Sequence, residues 1–297
     1  MKATADTKRE TLDLGWIRAS DYIELFKIRL NLLVLITTSM GFYLGSSGSP
    51  DLARLLYTLM GTGLVAASGA ALNQLLEKDI DSRMRRTANR PLPAGRLQPA
   101  EVQWLGIGLG VAGLLILALA TSGLCTFVAG FTLFSYVFVY TPLKPKTPLA
   151  VLVGAVPGAL PPVIGWTSAR GSLGAEGGIL FLWQLPHFLA IAWLYRQQYA
   201  RAGLKVLSTV DPDGRRTGLH SVLGCAVLLC FSLLPTLQGL AGTLYLSGAA
   251  LLGAAYLYAS VQMALARTEA NARRLFRISL LYLPLLLALM VYDRLPV

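Results

Sequence analysis

The apolar residues of this chain fall into nine blocks of about 18–25 residues, and that pattern constrains the fold more than any other feature. A helix of that length crosses a hydrocarbon core roughly 30 Å thick. We read spans near residues 30–47, 55–77, 102–121, 124–141, 149–168, 178–195, 218–236, 241–263 and 275–292. Isolated strands would leave backbone groups unpaired in lipid, and the short alternation of a membrane barrel is absent, so the spans are helices. Only 14% of residues are charged and 55% are hydrophobic, far from the roughly 25% charged of a soluble domain. The expected class is all-α: a polytopic membrane protein with nine transmembrane helices around a central cavity.

A net charge of +11 in a soluble chain would suggest nucleic acid, but here the charge is sorted by loop. Of the 26 Lys and Arg, all but Arg54, Arg170 and Arg294 fall in the N-terminal segment or the second, fourth, sixth and eighth loops. This is the positive-inside signature. It predicts a cytoplasmic N-terminus, an outward C-terminus and no nucleic-acid partner. Residues 1–21 read as a polar cytoplasmic tail with an interfacial piece around Trp16, and 22–297 as one transmembrane domain. The tail lacks an apolar core, so no cleaved signal peptide is expected. Cys125, Cys225 and Cys230 lie inside spans without metal-like spacing and read as small apolar core residues.

The second and sixth loops are long, charged and proline-bearing, which places function at the cytoplasmic ends of helices two and six. At the end of helix two, Asn73, Glu77 and Asp81 follow at i, i+4 and i+8. They drift about 40° and rise about 6 Å per step, forming one oxygen-bearing stripe, while Asp79 lies roughly 240° away from Asn73. Two carboxylates and an amide on one face suit Mg²⁺, which takes oxygen ligands and shares them with substrate phosphates. The bland alternative is the solvated end of a helix. It fits Asp81 better than Glu77 and Asn73, which lie deeper, where an acid is costly. Arg85, Arg86 and Arg90 follow at once. Guanidinium forks beside a metal would complete a diphosphate site, although topology and anionic lipid account for part of this charge.

The stretch Asn73…Glu77…Asp81, Met84-Arg85-Arg86-Thr87 and Arg90-Pro91-Leu92-Pro93-Ala94-Gly95 resembles the first motif of the UbiA-type intramembrane prenyltransferases. Tyr140-Thr-Pro-Leu-Lys144-Pro-Lys146-Thr147, the Gly154–Trp166 stretch, Leu182-Trp183-Gln184-Leu-Pro186-His187-Phe188 and Tyr199-Ala-Arg-Ala-Gly203 are similar to its haem-farnesylating branch, the haem O synthases. The resemblance extends from about residue 22 to the C-terminus. It implies nine helices around a cavity, Mg²⁺ dependence, and farnesyl diphosphate and haem b as substrates. The implied product is haem O, with a haem A synthase or terminal oxidase assembly as downstream partner. It also implies that Tyr140, Lys144, Lys146, Gln198 and Tyr199 join the arginines at the diphosphate. Where the family has an aspartate, this chain has Gln198. Either a second metal position is weaker, or Asp211 or Asp213 contributes instead.

Trp183, Gln184, His187, Phe188, Tyr195 and Gln198 recur at helical spacing along helix six. His187 beside Pro186 could ligate haem iron, accept a proton, or simply satisfy a neighbouring helix. Tyr140, Trp183 and Phe188 offer aromatic faces to an allylic cation. Pro157, Pro161 and Pro162 with Gly154, Gly158 and Gly165 predict a broken, thin helix five, useful either for a flat macrocycle or for tight packing. Two rivals stand beside this reading: a sister prenyltransferase for a quinone or chlorophyll precursor, and a haem or lipid transporter, which would favour paired repeats around a midplane site.

Overall fold

The computed structural model describes residues 19–173 and 177–295. Trp16 and the basic residues Lys2, Lys8, Arg9 and Arg18 lie outside them. Nine apolar helices run through the described residues: α1 Ile28–Gly45, α2 Leu52–Leu76, α3 Pro99–Ala120, α4 Gly123–Phe134, α5 Ala150–Arg170, α6 Gly177–Leu194, α7 Arg215–Ser232, α8 Thr243–Leu265 and α9 Glu269–Tyr292. No strand occurs among the described residues, apart from one isolated bridge between Ala241 and Arg294. Eight helices are long and apolar enough to cross a membrane, and the apolar stretch Gly178–Leu194 of α6 is shorter. This is an integral membrane protein. Its outward faces carry exposed Leu33, Ile36, Leu115, Phe127, Leu251 and Leu281, the surface that lipid covers.

The helices run antiparallel in sequence, as short connections require. Thr58 near the start of α2 shares a 2.6 Å hydrogen bond with Ser168 at the end of α5. The opposite end of the bundle therefore gathers the end of α2, the end of α6 and the loops between. α9 begins six residues before the expected 275, because Thr268 caps it by accepting from Asn271 N at 3.2 Å. Its first turns carry Arg273, Arg274 and Arg277.

Helix five is not broken, contrary to the expectation from its prolines. α5 runs continuously through Pro157, Pro161 and Pro162, and it is the most buried of the membrane helices. A proline inside a membrane helix is tolerated where neighbouring helices pack closely on it. A Cβ on Gly41 of α1 would collide with the Pro162 carbonyl, and one on Gly165 would collide with the Thr38 carbonyl. The two backbones touch, which only glycine permits. That part of the small-residue pattern is tight packing.

Two helices do break, both at the loop-bearing end. α2 stops at Leu76, Glu77 leaves helical geometry (φ −94°, ψ 4°), and a short helix Lys78–Asp81 follows. α6 stops at Leu194, Tyr195 turns similarly (φ −106°, ψ 16°), and Arg196–Arg201 follows. α4 continues into a π-helical turn at Ser135–Tyr140, a distortion often found at functional sites. The proline-rich segment after Asp81 folds back beneath the membrane end, burying Leu92 and Leu97 against Leu25, Ala71 and Val102. Arg96 ties it to Asp21 at 2.7 Å.

Candidate active site

The break at Glu77 does not disperse the acid stripe. Glu77 N bonds to Asn73 O at 3.0 Å and Asp81 N to Glu77 O at 2.8 Å, so the three residues keep one face through the kink. Asn73, Glu77 and Asp81 are all buried, whereas Asp79 is exposed and takes no part. Each member has a polar partner. Lys144 Nζ lies 2.6 Å from Glu77 Oε1, and Arg90 Nη1 lies 2.6 Å from Asp81 Oδ2. Asn73 Nδ2 donates to Thr141 Oγ1 at 3.0 Å, and Lys27 Nζ donates to Asn73 Oδ1 at 3.1 Å. Thr87 Oγ1 donates to the Asp81 carbonyl at 2.9 Å, holding the start of the basic loop.

The π turn in α4 delivers the residues that face this stripe. Thr141 Oγ1 donates to Tyr136 O at 2.8 Å, and the Tyr140 ring lies 4.5 Å from Lys144 Nζ. Tyr140 fits because position 154 is glycine: a Cβ there would enter its ring. Burial opposes the charge on Lys144, but Tyr140 and Glu77 outweigh it and hold its pKa above the usual ammonium range. Lys27 shows the reverse balance. Burial, with the positive charges of Arg90 and Lys144, pulls its pKa down to about 8. Lys27 was counted in the sequence only as topological charge. Its membership of this cluster had no signal beyond its place at a helix start.

The sixth loop closes over the same site. Tyr199 packs with Ile80, Met84, Ala202 and Leu204, Arg86 sits 5.4 Å from the Tyr195 ring centre, and Lys205 N donates to Lys144 O at 3.1 Å. Motifs more than 100 residues apart are thereby joined. Gln198, beside Tyr199, holds a buried side-chain oxygen with no hydrogen-bond partner. Arg85 and Lys146 are exposed, without an ion pair among the described residues. Asp211 is committed elsewhere: its Oδ2 accepts from Thr217 N at 2.7 Å and Thr217 Oγ1 at 2.8 Å, capping α7. Asp213 is exposed.

Deeper in α6 the side chains diverge. Gln184 Nε2 donates to Leu180 O at 3.1 Å and Ala155 O at 3.3 Å, and its amide lies over Gly158, where a Cβ would strike it. Glycines 154 and 158 therefore make room for side chains, unlike Gly165. His187 and Trp183 turn towards α9. The His187 ring stacks on Trp183 at 4.7 Å and meets Phe276 at 5.2 Å and Phe188 at 5.7 Å. Trp183 Nε1 donates to Ser279 O at 2.8 Å. Ser279 Oγ donates its one proton to Phe276 O at 2.6 Å, so it accepts from His187 Nδ1 at 2.7 Å. With that proton on Phe276 O, His187 carries its own on Nδ1 and Nε2 has no hydrogen-bond partner among the described residues. His187 lies eight residues, roughly 12 Å, from the break at Tyr195. An open apolar cleft of about 470 Å³ between α5, α6 and α7, lined by Val156, Leu160, Phe181 and Phe231 among others, flanks this region.

Oxygen donors on one helical face, basic groups opposite and an orphaned amide oxygen suit a hard cation and a polyanion together. No cluster of three or more His, Cys, Asp or Glu occurs among the described residues, so a cation here would share its ligands with amides, water or substrate. Comparison with known proteins agrees with the architecture. The chain is 47% identical to the protoheme IX farnesyltransferase of Solibacter usitatus over 92% of its own length and 98% of that protein's. It superposes on a digeranylgeranylglyceryl phosphate synthase with a TM-score of 0.78 at 17% identity, covering 93% of this chain and 98% of the other. A UbiA homologue from Archaeoglobus fulgidus bound to DMAPP and Mg²⁺ superposes with a TM-score of 0.68 at 17% identity, covering 91% and 99%. These two likenesses establish the fold. The UbiA prenyltransferase family pattern matches residues 34–283, and the chain belongs to that family.

Proposed function

We propose that this prenyltransferase moves a farnesyl group from farnesyl diphosphate to a vinyl carbon of haem b, with addition of water, to give haem O. The observation that carries the reading is the enclosed cluster where Asn73, Glu77 and Asp81 meet Lys144, Arg90 and Lys27. The near relatives supply the acceptor, since the Solibacter usitatus protein is a protoheme IX farnesyltransferase. The distribution of loop charges supports a site on the cytoplasmic side, with the N-terminus inside and the C-terminus outside.

Asn73, Glu77 and Asp81 would hold Mg²⁺, with Gln198 Oε1 as a neutral fourth oxygen. Magnesium supplies positive charge to the departing diphosphate. Arg90 and Lys144 are positioned to exchange their carboxylates for phosphate oxygens, and Arg86 rides on Tyr195 at the mouth, with Arg85, Lys146 and Tyr199 at the rim. The allylic C–O bond breaks with its electron pair leaving on diphosphate. The vinyl π electrons form the new C–C bond, and water closes the resulting cation and loses a proton. The Tyr140, Trp183 and Phe188 rings shield the cation from early water capture. His187, oriented through Nδ1 by Ser279, stands at the acceptor end with Nε2 either as the proton acceptor or as a ligand to haem iron. Haem O then passes to a haem A synthase or terminal oxidase assembly.

Label transfer tests the reading. Purified protein with Mg²⁺ and farnesyl diphosphate labelled in the chain is offered haem b, an aromatic quinone precursor and a chlorophyll precursor in separate reactions. Label on haem alone supports it. Label on a quinone or chlorophyll precursor would assign a sister activity, and no transfer at all would leave the transporter reading.

A further inference from the structure

Lys27 is the one residue other than glycine with positive φ among those described, at φ 49° and ψ 51°. It joins the helical residues 19–25 to α1. A left-handed lysine is strained, because its Cβ crowds the following carbonyl and its side chain makes no compensating local bond as Asn or Asp would. Such strain persists only where the surroundings enforce it. Here they do: Lys27 N donates to Glu24 O at 3.1 Å, Leu30 N to Lys27 O at 2.8 Å, and Asn31 Nδ2 to Phe26 O at 2.7 Å.

The turn aims the ammonium inward. Its acceptor is Asn73 Oδ1, whose orientation is settled by the donation of Nδ2 to Thr141. An amide oxygen is a weak partner for a half-buried cation. The nearby carboxylates are already matched, Glu77 with Lys144 and Asp81 with Arg90, and Lys27 makes no ion pair among the described residues. Three cations therefore converge on two acids, and the ammonium uses one of its three donors on a neutral group. That surplus of charge and donors calls for an anion.

We propose that Lys27 is a ligand of the donor's diphosphate, and that the strained turn before α1 exists to place it there. This rests on the prenyl diphosphate reading of the site above. The ammonium takes a phosphate oxygen with its free protons while Asn73 Oδ1 fixes its position. It belongs with the leaving group rather than with haem.

The test compares wild type with Lys27→Met, Lys27→Gly and Lys27→Arg. Farnesyl diphosphate binding in the presence of Mg²⁺ is measured by calorimetry, the unfolding midpoint in detergent is recorded, and KM is taken for each substrate. Lys27→Met and Lys27→Gly should bind about tenfold to a hundredfold more weakly, the range for a lost hydrogen bond between charged groups. Lys27→Arg should stay within about threefold of wild type, and the haem KM should not move. Lys27→Gly relieves the backbone and should unfold at a higher temperature than wild type while binding worse. Unchanged binding in the Met and Gly variants would overturn the proposal, and so would parallel loss of binding and stability in both, which marks a structural lysine. Wild type that fails to bind farnesyl diphosphate would instead overturn the reading of the site itself.

Discussion

Removing Glu77 separates its two roles. The Glu77–Lys144 pair is short at 2.6 Å, with side chains 9% and 19% exposed. Deleting one partner of a buried pair costs about 3–5 kcal/mol, because the other charge is stranded. Partial exposure of Lys144 and its contact with the Tyr140 ring at 4.5 Å, itself about 1 kcal/mol, place Glu77→Ala nearer about 2–3 kcal/mol. Glu77→Ala with Lys144→Met removes both charges and should fall within about 1 kcal/mol of wild type, well short of the sum of the two single losses. Turnover should be abolished in both, since no carboxylate remains on the middle turn of the stripe. Reversible unfolding in mixed micelles measures the first quantity and single-turnover transfer the second. Additive stability losses would show that the pair is not a closed unit, and normal turnover in Glu77→Ala would refute the stripe as the site.

Gln198→Asp adds a carboxylate where an amide oxygen is buried and orphaned. The Mg²⁺ concentration for half-maximal rate should fall with the haem KM unaltered, whereas an unmoved titration would exclude Gln198 from the cation. Burial raises the Asp211 pKa, but the bonds from Thr217 outweigh it and the net shift is downward. Its stabilisation is therefore present above the ordinary carboxylate range and is lost as pH falls through the depressed value. Asp211→Asn removes the charge from the start of α7, should cost up to about 1 kcal/mol near neutrality, lose that difference in acid, and leave the Mg²⁺ requirement unchanged. A strong Mg²⁺ effect would make Asp211 a ligand instead. Reporter fusions should place residues 88 and 208 in the cytoplasm and residue 171 outside, and an external signal at 88 would reverse the orientation.

The stripe was legible because helical spacing survives a kink: the hydrogen bonds through Asn73, Glu77 and Asp81 persist while Asp79 points to solvent. Apolar block length located the eight helices long enough to cross a membrane and the shorter α6, but not the start of α9, which depends on the Thr268 cap rather than on hydropathy. The prolines of α5 misled because their cost depends on neighbours, and α1 packs backbone to backbone against α5 at Gly41 and Gly165. Lys27 was hidden for a different reason. A lysine at a membrane boundary carries the same charge whether it sets topology or enters a site, and only its left-handed backbone tells them apart. The partner of His187, Ser279, lies 92 residues away on another helix, and no local pattern announces it. The meeting of Met84 with Tyr199 and Leu204 is likewise tertiary.

The central claim is carbon–carbon bond formation between the farnesyl chain and haem, closed by water. Mass spectrometry of the pigment after one turnover in ¹⁸O-enriched water tests it most directly, using purified protein with farnesyl diphosphate, haem b and Mg²⁺. The account predicts haem carrying one farnesyl group and one solvent-derived oxygen, formed in step with one diphosphate released. Unmodified haem alongside labelled farnesol and free diphosphate would contradict it, because water would then be the acceptor and the enclosed site would not be directing the cation to haem.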